Sequence, residues 1–381
     1  MRGYYLYPAF SEKEGANSSG VLKKVNRHMK VLRKHFEIES LPLKILTTTK
    51  SKIVSRLPYG SVPRNYDEVL NSMRDPDFIY MRRINLDRGC YLFFRDIKAK
   101  WPECKLIIEI FTYPYDEDDF LRDFEHVVRM FPFYLKDKYY RVRQKRYVNR
   151  LVVYSGDEEV FGIPTIRTIN GYDVAADMPR TPVCGCSSAG GPIHMVSVAY
   201  MQPQHGYERV IQGLAEYYAS GDHSREVFYH VVGDGPELER YQKITQEHHL
   251  NEYVFFYGRK TGDPLAAIYN QCDLGMCAFG MYKYGIDNCS ALKIPEYLAK
   301  GLPIVTGCRT SMLGDEEIQY CLEFPNDSSS IDIHQIIRFY DSLYGNREPE
   351  QLITEIREYA MSHFSEDLAF EPIVRYIEEM R

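Results

Sequence analysis

The stretch that decides the fold of this chain is Gly285–Val305, GIDNCSALKIPEYLAKGLPIV. Ser290 and Lys293 come just before a predicted helix that begins at Pro295, a residue tolerated at the first helical position because no N–H is needed there. The N–H groups at a helix start attract anions, and a hydroxyl and an ammonium group strengthen that attraction. Glu296 follows in the first turn, with two acceptor oxygens that suit the hydroxyls of a ribose. The layout therefore favours a nucleoside diphosphate.

Short apolar runs alternate with amphipathic segments along the whole chain, which indicates an α/β protein with parallel sheets. The helix of the opening stretch ends at Gly301, a left-handed cap, and LPIV follows as a buried strand. Other predicted strands are GYYLYP, FIYMRR, KLIIEIF, RLVVYSG, HMVSVAYM, VFYHVVGDG, VFFYG and DLGMCAF, and residues 21–35 are a predicted basic helix.

The chain is long enough, at 381 residues, for two domains. Residues 179–192, PRTPVCGCSSAGGP, are rich in Pro, Gly and Ser and are predicted to be an interdomain linker. We therefore expect an N-terminal domain over 1–185, a C-terminal domain over 190–355 and a final helical segment over 356–381.

Composition indicates a soluble protein with reduced thiols in the cytoplasm. No apolar run is long enough for a membrane span, and MRGYYLYPAF has no secretory h-region. The nine cysteines include one close pair, Cys184 and Cys186, without a partner pair at zinc spacing. Residues 1–190 hold 32 Lys and Arg against 24 Asp and Glu, a net of +8, which leaves −14 for the remainder. Different partners for the two halves, or uneven solvated charge, would each explain the split.

The opening stretch resembles the signature Ser-Pro-Leu-Lys…Glu-Tyr-Leu-Ala-x-Gly-x-Pro of retaining GT-B glycosyltransferases, the family 4-like group (glycosyltransferase group 1) of bacterial polysaccharide biosynthesis. The resemblance implies two doubly wound Rossmann-like domains facing across a cleft, with the final helix crossing back to the first domain. It implies that Ser290 and Lys293 hold the donor diphosphate and that Glu296 holds the ribose. It also implies a nucleoside diphosphate sugar as donor, with no cofactor and no metal.

Two positions depart from that signature. Its proline is Ala291 here, and a glutamate that contacts the donor sugar in many relatives is Asn288 here. Asn288 or Asp287 is a candidate substitute. Leu292, between the serine and the lysine, is counted with the donor-binding residues.

The resemblance assigns further donor-side positions, each of which an ordinary loop would also explain. They are Gly15 in the glycine-rich loop EGANSSG, His205 after the first strand of the second domain, and Gly233 and Gly235 in VVGDGP. Arg259 and Lys260 follow a strand directly, so we expect one of them to face the diphosphate and act with Lys293 and Glu296 in catalysis.

Residues 107–119, IIEIFTYPYDEDD, resemble a stretch of bacterial polysaccharide-forming glycosyltransferases and are the predicted acceptor side. The candidates are Glu109, Thr112, Tyr113 and Tyr115. Glu109 lies inside a buried strand, where an unpaired carboxylate is costly, so we expect it to bind a cation or the acceptor.

Residues 131–150 interleave basic and aromatic side chains, which suits an anionic membrane surface or a lipid-linked phosphate. A packing helix remains an equal alternative, and no nucleic-acid motif accompanies the charge. The sequence thus predicts a cytoplasmic retaining glycosyltransferase, peripheral at the inner membrane face, acting on a glycan or lipid-linked glycan. A non-catalytic GT-B assembly subunit and a nucleotide-sugar epimerase are the alternatives.

Overall fold

The alternation of apolar runs and amphipathic segments produces two mainly parallel sheets, one in each of two units of the chain. The computed structural model describes the chain outside residues 10–14, 47, 122–123, 184–189, 222–224, 288–290, 311–317, 346 and 380–381, and outside the side chains of 15–21, 23, 50 and 117–118. The first unit is Met1–Thr168 with Ala369–Arg381, and the second is Ile169–Leu368. The predicted α/β class with two Rossmann-like sheets is confirmed.

The sheet of the first unit has seven strands in the order β2-β1-β3-β4-β5-β7-β6, parallel except for the β6–β7 pair. They are β1 (Arg2–Pro8), β2 (Glu37–Leu43), β3 (Phe78–Arg82), β4 (Lys105–Ile110), β5 (Arg150–Val153), β6 (Glu159–Val160) and β7 (Ile163–Arg167). The helices are α1 (Gly15–Leu32), α2 (Thr49–Val54), α3 (Tyr66–Ser72), α4 (Arg88–Lys100) and α5 (Phe124–Arg141).

The second unit has six parallel strands in the order β10-β9-β8-β11-β12-β13. They are β8 (Ile193–Tyr200), β9 (Val227–Asp234), β10 (Val254–Phe256), β11 (Leu274–Met276), β12 (Ile304–Thr306) and β13 (Cys321–Glu323). The helices are α6 (Glu208–Ala219), α7 (Leu238–Glu247), α8 (Asp263–Tyr269), α9 (Lys293–Lys300), α10 (Ile333–Tyr344) and α11 (Pro349–Phe364). The last helix, α12 (Glu366–Glu378), begins at the end of this unit.

Apolar side chains cover both faces of the first sheet. Strand β3 is buried along its whole length, and its successive side chains point to opposite faces. Ile79 and Met81 belong to one core cluster, and Phe78 and Tyr80 belong to the other. Four residues of α12 complete the second cluster: Phe370, Ile373, Val374 and Ile377. The end of the chain is therefore part of the core of the first unit.

Helix α1 begins earlier than predicted. We expected a glycine-rich loop over 14–20 and a helix from Val21, but the helix begins at Gly15. The prediction of a loop from Gly15 onward was wrong because a glycine costs only about 1 kcal/mol in a helix. Small residues between two glycines therefore do not by themselves prevent helix formation.

The division between the units falls at Thr168, before the predicted linker. The chain beyond this point already belongs to the second unit through backbone hydrogen bonds. Tyr172 N donates to Phe364 O at 2.8 Å, and Arg180 N donates to Lys300 O at 3.0 Å. Proline and serine content alone did not reveal this pairing.

The first sheet buries one ionised carboxylate completely. Glu109 in β4 is 0% exposed and accepts a hydrogen bond from Tyr154 Oη at 2.7 Å. Lys24 Nζ lies 3.5 Å from one carboxylate oxygen, and Arg82 Nε lies 3.7 Å from the other. Burial by itself raises the pKa of Glu109, but the charges of Arg82 and Lys24 outweigh it and hold the pKa at about 2. The predicted need for a cation beside Glu109 is met inside the unit.

Glu109→Gln should destabilise the first unit by about 3 kcal/mol near pH 7, because Arg82 loses its buried counter-ion. The wild-type carboxylate has a lowered pKa, so its stabilising effect is present above about pH 4.5 and is lost as the pH falls towards 2. Urea unfolding of the wild type and of Glu109→Gln should show their difference in free energy of unfolding becoming smaller as the pH falls from about 4.5 towards 2.

The matched control is Glu37→Gln, which breaks the exposed Arg2–Glu37 ion pair of the same sheet at 3.3 Å. Glu37→Gln should change the free energy of unfolding by no more than about 0.5 kcal/mol. Equal effects of the two substitutions would contradict the assignment of Glu109 as a buried structural charge.

Candidate functional site

The strand order of the second sheet reverses beside β8. Strands β9 and β10 extend the sheet on one side of β8, and β11 to β13 extend it on the other. Ligands of such sheets bind outside the carboxyl ends of the strands at this reversal. The segments that follow β8 and β11 therefore border the candidate site.

These two segments are held together by their backbones. Phe279 N donates to His205 O at 2.8 Å, and Gly280 N donates to Gln204 O at 3.1 Å. Gly206 has φ +59°, and a Cβ there would lie 2.4 Å from Gly280 N. Only glycine permits this approach, which fixes the position of His205.

His205 is a neutral hydrogen-bond donor. Its Nδ1 accepts a hydrogen bond from Gln202 N at 2.9 Å. Burial and the nearby Lys293 charge lower the pKa of His205 to about 2, so the imidazole is uncharged near neutral pH. Because Nδ1 is an acceptor, the proton is on Nε2. The ring can donate to an anionic oxygen without contributing charge.

Lys293 is the first residue of α9, and its Nζ donates to Tyr207 Oη at 2.8 Å. Tyr207 is fully buried, and the centre of its ring lies 5.5 Å from that of His205. The structure thus brings His205 and Lys293 to the same end of the sheet, with Tyr207 between them.

Helix α9 starts two residues before the predicted position. Pro295 is its third residue rather than its first, which is allowed because the first four N–H groups of a helix have no partner within it. Lys293 and Glu296, three positions apart, lie on one face of this helix. Gly301 ends the helix with φ +77°, as predicted.

Glu296 is half-buried, and its Oε1 accepts a hydrogen bond from Tyr269 Oη at 3.2 Å. Burial raises the pKa of Glu296, and the charge of Asp177 adds to the rise. The hydrogen bond from Tyr269 and the charges of Lys293 and Lys300 oppose it. The neighbours of Glu296 do not offset the effect of burial on its pKa, whereas the neighbours of Glu109 more than offset it.

The two predicted glycines at the end of β9, Gly233 inside the strand and Gly235 directly after it, have a packing role. A Cβ on Gly233 would lie 1.8 Å from Ala199 O, and one on Gly235 would lie 2.4 Å from Met201 O. Both glycines have strongly positive φ. They let the end of β9 approach the end of β8, and this close packing explains why glycine is needed at both positions.

Arg259 and Lys260 follow β10, which is the edge strand on the β9 side. Both side chains are exposed, and neither forms a hydrogen bond or ion pair with the residues that the structure describes. Two strand spacings, roughly 10 Å, separate β10 from β8. Arg259 and Lys260 therefore lie at the carboxyl end of the sheet, on the β10 side of the strand-order reversal.

The remaining donor-side predictions fall in the segment before α9. Asp287 is exposed, and its Oδ1 accepts from Asn326 Nδ2 at 3.1 Å. Leu292 is the N-cap of α9 and is 48% exposed. Asn288 and Ser290 lie outside the described residues. Gly15 is in the other unit, at the start of α1.

On the predicted acceptor side, the structure separates buried from accessible residues. Tyr115 is buried, its hydroxyl donates to Asp137 Oδ2 at 2.9 Å, and the Arg83 guanidinium lies 3.6 Å from its ring centre. Thr112 and Tyr113 are half-buried. The Tyr115 hydroxyl and the Glu109 carboxylate are both engaged inside the unit.

Sequence reasoning did not identify Tyr207 and Tyr269. Each is a buried tyrosine whose hydroxyl contacts a charged group of α9, across 86 and 27 residues of sequence respectively. No local spacing connects such pairs, so no signal in the sequence pointed to them.

Comparison with known proteins places this site in a family context. Residues 187–332 match the family model of glycosyl transferases group 1. A glycosyltransferase from Rickettsia africae shares the fold with a TM-score of 0.60 at 13% identity, over 100% of this chain and 98% of that one. The lipopolysaccharide outer core galactosyltransferase WaaB, in its apo form, gives 0.59 at 12% identity over 100% of both chains.

A third solved structure, S. aureus TarM in a complex that includes UDP, gives a TM-score of 0.50 at 14% identity over 83% of this chain and 57% of that one. No curated protein sequence matches the chain significantly. The predicted resemblance is confirmed by the family match and by the shared fold. Residues 187–332 therefore match the glycosyl transferases group 1 family model, and the chain is a glycosyltransferase with the GT-B fold.

Proposed function

We propose that this glycosyltransferase is a retaining enzyme that moves a sugar from a nucleoside diphosphate sugar to a hydroxyl of a glycan or lipid-linked glycan. The observation that carries the proposal is the placement of Lys293 and Glu296 on one face of α9, beside His205. A cation, a neutral donor and a carboxylate in this order suit a diphosphate followed by a ribose. The UDP of the TarM complex, which has the same fold, supports this donor class.

The difficult step is departure of the nucleoside diphosphate while positive charge builds on the sugar ring. The Lys293 ammonium and the positive end of the α9 dipole stabilise the departing phosphate oxygens. His205 Nε2–H adds a hydrogen bond. These groups would make a metal ion unnecessary.

Arg259 and Lys260, at the end of the edge strand, take a weaker part in this proposal. Their exposed charges attract the anionic donor towards the carboxyl end of the sheet. For the transfer itself we propose attack on the same face of the sugar that the phosphate leaves, with the departing phosphate as acceptor of the proton from the attacking hydroxyl.

Lys293→Ala should lower kcat by roughly 10²–10³-fold, because it removes a charge aimed at the leaving group. The control is Lys243→Ala, an exposed lysine on α7, which should leave kcat unchanged. A thermal-shift screen with UDP, GDP, dTDP and ADP first identifies the donor nucleotide.

NMR of the product then reports whether the anomeric configuration of the donor is kept. Full activity in folded Lys293→Ala, or an inverted product, would contradict the proposal.

We further propose that the enzyme works in the cytoplasm at the inner face of a membrane, through a surface of the first unit. Six apolar side chains, each 43–83% exposed, follow one another at spacings of three or four residues along α5 and just beyond it. They are Phe124, Val128, Phe131, Leu135, Tyr139 and Val142. Such spacing forms one stripe on a helix, and here the stripe faces solvent.

A second exposed apolar segment lies beside this stripe. It contains Ile53, Val54, Leu57 and Tyr59. The buried Lys136 of α5 joins it to the helix, because its Nζ donates to the carbonyl oxygens of Ser55 and Gly60. A groove of about 520 Å³ runs between them. We call the stripe and this segment together the apolar face.

Exposed cations surround the apolar face: Lys52, Arg56, Arg129, Lys138 and Arg143. Glu125 is the one exposed acid on the described part of α5. A second copy of the chain packed on this face would bring like charges together, whereas anionic lipid headgroups complement them. None of the described helices is both long and apolar enough to cross a bilayer.

Leu135→Asp should weaken binding to vesicles that contain anionic phospholipid by roughly tenfold or more, because one buried leucine contributes about 1.5–3 kcal/mol. Met361→Asp is the matched control, since Met361 is 47% exposed on α11 in the second unit and Leu135 is 51% exposed. Co-sedimentation measures both, and added salt should weaken wild-type binding. Equal binding by the two variants, or dimerisation through this face, would contradict the membrane assignment.

A further inference from the structure

Tyr269 is the one neutral hydrogen-bond donor that the described structure gives to Glu296. It is the last residue of α8 and is 2% exposed. Its Oη donates to Glu296 Oε1 at 3.2 Å. Burial raises the pKa of Tyr269 well above its usual value, so the hydroxyl keeps its proton throughout the working pH range.

The charged groups near Glu296 come from two elements. Asp177 lies in the segment that enters the second unit, and Lys293 and Lys300 are on α9 itself. Lys300 Nζ donates to Asp177, and Lys293 Nζ donates to Tyr207 Oη. Both lysines thus have partners other than Glu296, whereas the Tyr269 hydroxyl bonds to Glu296 directly.

A hydrogen bond to one oxygen sets the rotation of the carboxylate. With Oε1 held by Tyr269, the other oxygen forms no hydrogen bond with the described residues and can accept one from a ligand. If that ligand is a ribose, a nucleotide without its 2′-hydroxyl leaves a half-buried carboxylate oxygen without a partner. Sites built to bind a hydroxyl reject analogues that lack it for this reason.

We propose that Tyr269 is a positioning residue that orients Glu296 and thereby makes the site select ribonucleotide over 2′-deoxyribonucleotide donors. This inference rests on the proposed function, because it takes the ribose to be the partner of Glu296. It adds a residue and a specificity that the family resemblance does not supply.

Removal of the Tyr269 hydroxyl has a second consequence. Burial already raises the pKa of Glu296, and the hydrogen bond opposes that rise. In Tyr269→Phe the pKa of Glu296 therefore rises further. Since the ionised carboxylate is the form that binds ribose, nucleotide binding is lost at a higher pH as the solution is acidified.

Calorimetry of four proteins tests the proposal: wild type, Tyr269→Phe, Glu296→Gln and Tyr253→Phe. The probes are the ribonucleoside diphosphate among UDP, GDP and ADP that stabilises the wild type most, and its 2′-deoxy form. Tyr253 is the control because its hydroxyl has no hydrogen bond to the described residues, although its ring stacks on Tyr218 at 3.7 Å.

The wild type should prefer the ribonucleotide by roughly tenfold or more, the effect of one hydrogen bond to a charged group. In Tyr269→Phe this preference should fall several-fold, the acid limb of binding should move to higher pH, and the donor KM should rise more than kcat falls. Tyr253→Phe should retain the wild-type preference and pH dependence.

Each outcome bears on the proposal. A lost preference in Glu296→Gln with an unchanged one in Tyr269→Phe overturns the role of Tyr269 and leaves the ribose assignment standing. An unchanged preference in Glu296→Gln overturns the ribose assignment and the inference with it.

Should Tyr269→Phe fail to fold, a crystal structure of the wild type with the ribonucleotide decides the question. Tyr269 Oη on one carboxylate oxygen and the ribose 2′-hydroxyl on the other supports the inference. A ribose bound elsewhere, or a displaced Tyr269, overturns it.

Discussion

The site of the second unit depends on one close backbone contact, between Gly206 after β8 and Phe279–Gly280 after β11. Two hydrogen bonds join these segments where the strand order reverses, and a side chain at Gly206 would clash with the backbone of Gly280. The contact fixes His205, and the chain after β11 leads from it to α9. Lys293 and Glu296 project from this helix, and the hydrogen bond from Lys293 Nζ to Tyr207 Oη joins its start to the segment after β8.

Two carboxylates of this chain, the fully buried Glu109 and the half-buried Glu296, show why one is structural and the other suits a ligand. Glu109 is surrounded by Arg82, Lys24 and Tyr154, and these neighbours lower its pKa despite complete burial. Glu296 accepts one hydrogen bond, from the Tyr269 hydroxyl, and its pKa is raised. A carboxylate that its own unit has already satisfied gains little from a substrate. One that is only partly compensated gains more from a ribose hydroxyl.

Local chemistry made much of the fold predictable. Apolar runs located the strands, and the glycine at 301 marked the end of α9 because a left-handed residue is needed there. Lys293 was predicted to precede this helix, and only the structure, in which α9 begins at Lys293, places it on one face with Glu296. The predicted start of α1 was wrong because small residues between glycines fit a helix as well as a loop.

The supporting residues of the site could not be predicted in the same way. Tyr207 and Tyr269 reach α9 through tertiary packing. The stripe on α5 is exposed because no other described element packs over these side chains. The sequence of residues 131–150 indicated only that basic and aromatic side chains were interleaved. Which of them face solvent is set by the packing of α5 on the sheet, and this depends on contacts distant in sequence.

The proposed site holds the phosphates of a nucleoside diphosphate at the start of α9, next to His205. Hydrogen–deuterium exchange with and without the nucleotide tests it most directly, because it locates the protected amides. We expect protection of the backbone amides of residues 202, 204–206, 291–294 and 296 on addition of the nucleotide. Unchanged exchange in both segments, with protection confined to other parts of the chain, would rule out this phosphate site.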